Sequence, residues 1–348
     1  MTKKITAVFL CAVLMCAADS TADAGLMLAP PREGAYHSAH PDFGLRDDEA
    51  TSGGVRYFEE LAGKKIVWAY ISWHWDDGIK FPAVSCEAIR ASGAIPLVGI
   101  MPWSALRQGA PEEEYNIRRI LSGDFDDLLA RAADDARGLG FPIMMEFGPE
   151  VNGSWFPWNG AWNGRDADEY GERDFPDGPE RFRDAYRHIV SIFRGRGATD
   201  VTWVFHIAAD GAPREDWNAA SYYYPGDEWV EWIGASVYGR LGEGKLRPFG
   251  DIMKRVYPGM CALSSSKPIA ILELGVSEGP GKPEWIREAM RAIGSGLYPR
   301  IKAVSWWNKT RRPDGSRSTL EIDSSAESLE SYRAGVRDLA EEAVWSDD

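Results

Sequence analysis

Short apolar runs alternate along the chain with longer stretches in which apolar residues recur every three or four positions. The runs read as buried strands and the longer stretches as amphipathic helices. Eight runs qualify as strands, at 34–39, 65–73, 94–103, 141–147, 201–207, 232–238, 268–276 and 302–307. Helical patterns lie between most of them, at 81–92, 124–138, 179–196, 249–263, 283–294 and 326–343. Pro179 suits the first turn of its helix. The first and fifth crossovers carry only weak helical patterns. Strands that are apolar nearly throughout, each followed by a helix, imply a parallel sheet covered on both faces. Eight such units within 348 residues imply an α/β fold, a (β/α)8 TIM barrel in a single domain. No G-x-G-x-x-G follows an early strand, which disfavours an open dinucleotide-binding sheet. The acidic last residues are expected to fray.

The amino terminus departs from this rhythm. Lys3 and Lys4 precede an apolar run at 5–18, and Ala22-Asp23-Ala24 offers a small-x-small cleavage site. Residues 1–24 therefore read as a secretory signal peptide, too short for a membrane span, with residues 25–348 as the one folded domain. Export to the medium or the periplasm is the expectation. A lipoprotein is the alternative, because Cys11 and Cys16 lie in the run, but Leu10 and Met15 stand where a small residue is needed. Cys86 and Cys261 remain after cleavage, and could either pair in an oxidising compartment or stay as separate buried thiols. The formal charge of −14 argues against nucleic acid or an anionic membrane as partner and favours a neutral substrate.

The chemistry is sought at the carboxyl ends of the strands, where such barrels carry their sites. The second strand ends on Trp73 and His74, the third on Trp103, and the fourth leads into Glu150, Asn152, Trp155 and Trp158. The fifth carries His206, the sixth Tyr238, the seventh Glu273, and the eighth Trp306, Trp307 and Asn308. This is a ring of tryptophans around two glutamates. Indole faces bury large area at low entropic cost and stack on sugar rings. The plainer reading of any one tryptophan is core filling. A lone carboxylate in the apolar strand around Glu273 is costly unless something uses or pairs it, and a buried ion pair is the structural alternative. Glu150 has the same logic in a stronger context, with a capping or loop carboxylate as the structural alternative. Two glutamates at different strand ends facing one cleft form a glycosidase pair: one protonates the leaving oxygen while the other attacks the anomeric carbon or activates water. The charge on one raises the pKa of the other, which keeps an acid protonated near neutrality. His37-x-x-His40 offers two imidazoles but no recognisable third ligand, and neither a metal nor another cofactor is expected.

At Glu150-Val-Asn-Gly-Ser-Trp-Phe-Pro-Trp158 the chain resembles glycoside hydrolase family 26, whose acid/base motif is Glu-x-Asn-Gly-x-Trp-x-x-Trp. Tyr224-Pro-Gly-Asp227 resembles the family's lead into its sixth strand, and Lys267-Pro-Ile-Ala-Ile-Leu-Glu-Leu-Gly275 its nucleophile strand. The resemblance implies Glu150 as acid/base, Glu273 as nucleophile and Tyr238 as the residue orienting that nucleophile. It implies Trp307 as the floor beneath the scissile sugar, with Trp155 and Trp158 on the leaving-group side. Trp73, Trp103, Asn152, His206 and Trp306 complete the expected substrate-binding set. The implied activity is retaining endo-β-glycoside hydrolysis of a polysaccharide by a monomer, with β-1,4-mannan first. β-1,3-1,4-Glucan, β-1,3-xylan and a bacterial exopolysaccharide are the alternatives, and a non-catalytic glycan-binding barrel is the reading of another class. Two positions depart from the pattern: Pro149 and Glu146 stand where relatives carry His and Arg. Strand alternation puts Glu146 on the same side as Glu150, and His206 could replace the missing histidine in space or be a satisfied core residue.

Overall fold

A computed structural model describes residues 25–44, 49–311 and 316–347. The proposed signal peptide, with Cys11 and Cys16, lies outside them. The elements run β1 (Leu26–Ala29), β2 (Tyr36–His40), α1 (Ser52–Ala62), β3 (Trp68–His74), α2 (Ala83–Arg90), β4 (Ile95–Met101), α3 (Ile117–Leu121), α4 (Asp126–Gly138) and β5 (Ile143–Phe147). They continue with α5 (Asp177–Gly195), β6 (Val201–Ala208), α6 (Ala220–Tyr223), β7 (Trp232–Tyr238), α7 (Phe249–Leu263), β8 (Ile269–Gly275), α8 (Lys282–Gly294), β9 (Ile301–Trp307), α9 (Ala326–Val336) and β10 (Val344–Asp347). Strands β2 to β9 pair in sequence order, in parallel, and β9 closes on β2. The chain is the expected (β/α)8 barrel.

Alternation along each strand divides its residues between two apolar regions. Ile71, Trp73, Phe147, Trp203 and Trp306 face outward and pack under the helices. Helix α5 shows why these helices form: Phe182, Tyr186, Ile189 and Phe193 make one apolar stripe, buried with Phe147 and Trp203. Tyr36, Trp68, Leu97, Met144, Val204 and Trp232 point inward and fill the barrel.

The first crossover holds a full helix, contrary to its weak pattern. Ser52-Gly53-Gly54 lowers its propensity, but Val55, Phe58 and Ala62 form a buried face. Thr51 caps its first turn by accepting from the Gly54 N–H, and Gly63 ends it at φ 68. The fifth crossover carries a 3-10 turn (Asp216–Asn218) and the single turn α6, in keeping with its weak pattern. The last helix stops at Val336 rather than running to 343. Strand β2 pairs with β3 at one residue pair only, so its edge is open to Ala340, which accepts from the His37 N–H at 2.9 Å and donates to Ala35 at 2.9 Å. The chain then adds β10 against β1, where fraying was expected. This two-stranded sheet closes the amino-terminal end of the barrel. Leu28 joins the interior, Trp232 Nε1 donates to its carbonyl at 2.7 Å, and Val344 N–H donates to Tyr36 Oη at 2.9 Å.

Cys86 on α2 and Cys261 on α7 are both free thiols. His37 faces outward and bonds Lys65 O and Tyr332 Oη, whereas His40 faces the interior beside Trp307, so the two imidazoles share no site.

Candidate active site

Glu273 reaches the barrel interior through an irregularity. Ala270 and Leu272 point inward, so simple alternation would turn Glu273 out under the helices. Instead the register slips between Ile271 and Leu274 on the β9 side and between Ala235 and Ser236 on the β7 side. The bulge puts Leu272 and Glu273 on the same face, the use to which bulges near active sites are commonly put. Ser236 becomes the register partner of Glu273, and Tyr238 Oη donates to Glu273 Oε2 at 2.6 Å.

Glu150 stands on a tight turn that follows β5. Gly148 has φ 60 and Glu150 itself φ 50, so two of three successive residues are left-handed. Only glycine fits at 148, because a Cβ would come within 2.7 Å of Phe182 and 2.9 Å of Trp158. Glutamate at 150 holds that conformation because its neighbours are tied down. Trp158 Nε1 donates to Pro149 O at 2.8 Å, Val151 N–H to His206 O at 3.2 Å, and the Asn152 amide exchanges two bonds with the Ala208 backbone, at 2.7 and 3.0 Å. Trp155 Nε1 then donates to Glu150 Oε2 at 2.7 Å.

The two carboxyls line one cleft of about 530 Å³ at the carboxyl ends of the strands. Trp103, Trp155, Phe156, Tyr238 and Trp307 share its walls. Trp103 lies parallel to His74, with planes 10° apart, and donates to His74 Nδ1 at 2.8 Å. Of the expected set, then, Trp103, Trp155, Tyr238 and Trp307 meet Glu150 and Glu273 around this space, and the other five do not. Trp73 and Trp306 are outward residues of β3 and β9, packed under the helices. Trp158 is buried against Phe156, with ring centroids 4.4 Å apart, and its indole N–H holds the turn at Pro149. Asn152 splices that turn to β6, and His206 lies below the cleft floor. Phe156 and Arg247 line the space without having been expected. Arg247 comes from the loop before α7, where its guanidinium pairs with Asp210 and donates to Tyr238 O at 2.6 Å; no local motif marks it.

The family model of Glycosyl hydrolase family 26 matches residues 69–260, which include Glu150 and the β3–β7 strand ends. This chain belongs to glycoside hydrolase family 26. It is 29% identical over 297 residues to Endoglucanase H of Acetivibrio thermocellus, a match that takes in 83% of this chain and 29% of that protein. The chain thus spans less than a third of that relative's length. Among solved structures it superposes on the Bacillus subtilis mannanase BCman with a TM-score of 0.57 at 18% identity, over 83% of this chain and 84% of that one. It superposes on a Cellulomonas fimi endo-beta-1,4-mannanase double mutant with a TM-score of 0.61 at 18% identity, over 88% and 71%. For the Bacteroides ovatus β-mannanase BoMan26A the TM-score is 0.58 at 13% identity, over 88% and 89%. At such identities these likenesses show the shared barrel.

With the family shown, the electrostatics around the two carboxyls can be read together. Burial and the charge of nearby Glu150 push Glu273 up to about 8, while the His206 charge and the Tyr238 hydroxyl pull it down. Beneath the two carboxyls Glu146 is completely buried on β5. Tyr70 Oη donates to its Oε1 at 2.7 Å and His206 Nδ1 to its Oε2 at 2.9 Å. Burial opposes a charge on His206, but the Glu146 carboxylate, joined by Glu273 and Glu150, overcomes it and pushes the imidazole up to about 9. The imidazole thus favours its charged form 2.9 Å from Glu146 Oε2, the geometry of a buried ion pair.

Proposed function

We propose that this family 26 hydrolase is a retaining endo-β-glycanase with Glu150 as acid/base and Glu273 as nucleophile. One observation carries the reading: two glutamates from different strand ends line one aromatic cleft, each held by a side-chain donor, Trp155 on Glu150 and Tyr238 on Glu273. The reactive state has Glu150 protonated and Glu273 ionised. Glu150 gives that proton to the glycosidic oxygen as the bond breaks. Ionised Glu273 bonds to the anomeric carbon, and water activated by Glu150 then releases the sugar. Trp307 offers its face beneath the scissile sugar, and Trp103 and Trp155 offer theirs along the chain.

The family resemblance points first to β-1,4-mannan. A β-glucan backbone is the second reading, favoured by Pro149 and Glu146 at positions where relatives carry His and Arg, and by the name of the endoglucanase relative. Residues 1–24 are proposed as a secretory leader and residues 25–348 as the catalytic domain. The test is reducing-end release by the protein from Gly25 onward, on mannan, galactomannan, glucomannan, mixed-linkage glucan and β-1,3-xylan, beside Glu273→Gln and Glu150→Ala. Release that both substitutions abolish or cripple supports the reading; release indifferent to both would sink it. Proton NMR of the first product reads the stereochemistry. The β-anomer appearing first is expected, and the α-anomer would replace retention by inversion.

A further inference from the structure

The Glu146–His206 pair is expensive and has no evident structural return. Both side chains are buried inside the barrel, and buried ion pairs of this kind commonly add nothing to stability over apolar residues of similar size. The surroundings are nonetheless built to admit them. A Cβ on Gly99, the β4 neighbour of Glu146, would lie 2.1 Å from Tyr70 Oη and 3.1 Å from Glu146 Oε1. A side chain on Gly234, the register partner of His206, would meet Leu272 at 2.2 Å. Two glycines thus give up strand propensity at the positions that the pair and its surroundings occupy.

The pair also has a direction. His206 Nε2 lies 2.8 Å from Ser236 Oγ. An imidazolium has no acceptor left, so Nε2–H donates and the Ser236 hydroxyl must turn its own hydrogen elsewhere. Ser236 lines the cleft and is the register partner of Glu273. The bonds therefore run from Tyr70 through Glu146 and His206 to Ser236, with the positive end toward the nucleophile.

We propose that the buried Glu146–His206 ion pair, acting through Ser236, is a positioning device that holds Glu273 charged and oriented for attack. This rests on Glu273 being the nucleophile. Glu146 from β5, Glu273 from β8 and Glu150 from the turn above act on His206. Tyr70 bonds Glu146, Tyr238 bonds Glu273 and is kept neutral by burial and by Glu273, and Arg247 and Lys309 line the same cleft as Glu273. His40, on β2, is also kept neutral by burial, so it adds no competing cation. Of the two members of the pair, His206 acts more strongly on Glu273 than Glu146 does, as the direction requires. In this chain the pair supplies a cation below the nucleophile even though Arg and His are missing from their usual positions before the acid/base.

The experiment compares wild type, His206→Asn and the double variant Glu146→Gln/His206→Asn, whose amides keep hydrogen-bonding groups in both places. Carboxyl 13C NMR on glutamate-labelled protein follows Glu273, assigned through Glu273→Gln, and kcat/KM is measured across pH on the best substrate. Both readouts should move together. The Glu273 midpoint and the acidic limb of kcat/KM are expected to rise by about one pH unit, a roughly tenfold loss below the limb that recovers on the alkaline side. An unmoved midpoint in a folded double variant would overturn the proposal and leave the pair structural. The NMR titration decides between these outcomes even if wild type cleaves none of the glycans tested, a result that would count against the proposed function alone.

Discussion

Glu273 and Glu150 differ in how the backbone delivers them, and this decides what could be read from residues alone. Both were recognisable as carboxylates in the wrong company, one in an apolar strand and one beside indoles. Their neighbours were less legible, because an aromatic at a strand end faces the cleft or the helices according to a one-residue register. Trp307 and Trp306 are adjacent, and only the first lines the cleft. Glu273 itself would fail a strict alternation test, since a bulge no residue type announces turns it inward. Its burial carries a stability cost that can be measured. A carboxyl whose pKa rises from 4.5 to about 8 on folding holds its proton longer in the native than in the unfolded state, so stability falls as pH climbs through that window. Glu273→Gln should remove this fall. Its melting temperature should match wild type near pH 4.5 and exceed it by pH 8, as scanning calorimetry would show; an equal difference at both pH values would contradict the assignment. Glu150→Ala should lose about 10²–10⁴-fold in turnover, less on substrates with good leaving groups that need no proton, so a loss independent of leaving group would remove Glu150 from the acid role.

Among the elements, the eight barrel strands and most helices follow from apolar periodicity because each buries a continuous face. The failures have physical causes. Helix α1 begins on a glycine pair, so its stability comes from a cap and from tertiary burial rather than from propensity. The early end of α9 follows from an unsatisfied edge on β2, a fact about strands some 300 positions away in sequence. Inside the sheet, glycine carries information that propensity hides. Gly99→Ala adds one methyl on β4 against the Tyr70 hydroxyl, on backbone that any residue can adopt. Overpacking of that kind costs about 1–3 kcal/mol. Denaturant unfolding should register that loss, and Gly99→Ala combined with Tyr70→Phe, which removes the clashing oxygen, should recover part of it. Full additivity of the two substitutions would mean that the clash is not the cause.

For the molecule as a whole, the barrel keeps its two ends for different tasks. The carboxyl end holds the cleft, with charge, strain and buried polar groups that stability alone would not select. The amino end holds the sheet of β1 and β10, which joins residues 26–29 to residues 344–347 and lays Leu28 and Trp345 against the interior aromatics. Such a closure could not be read from two short segments at opposite ends of the chain, neither of which has a partner in sequence. The two ends should therefore be separable by mutation. Leu28→Ala removes a side chain that is 2% exposed and should cost about 2–5 kcal/mol, with truncation after residue 342 acting in the same direction. Neither change touches the cleft, so kcat/KM at 25 °C should stay within about twofold of wild type while the folded fraction remains high, and only the thermal midpoint should drop. The two ends still share one global stability, and pH acts on it from the catalytic side. His206 keeps its proton up to about 9 in the fold against 6.5 when free, so the stability it contributes is complete below 6.5 and is lost as pH rises through 9. A protein weakened at its closed end by Leu28→Ala should therefore lose activity by unfolding first on the alkaline side, with a melting temperature that falls between pH 6.5 and 9. Adding His206→Asn should flatten that fall. A slope unchanged by the second substitution would mean that the buried imidazole does not link the catalytic end of the barrel to its global stability.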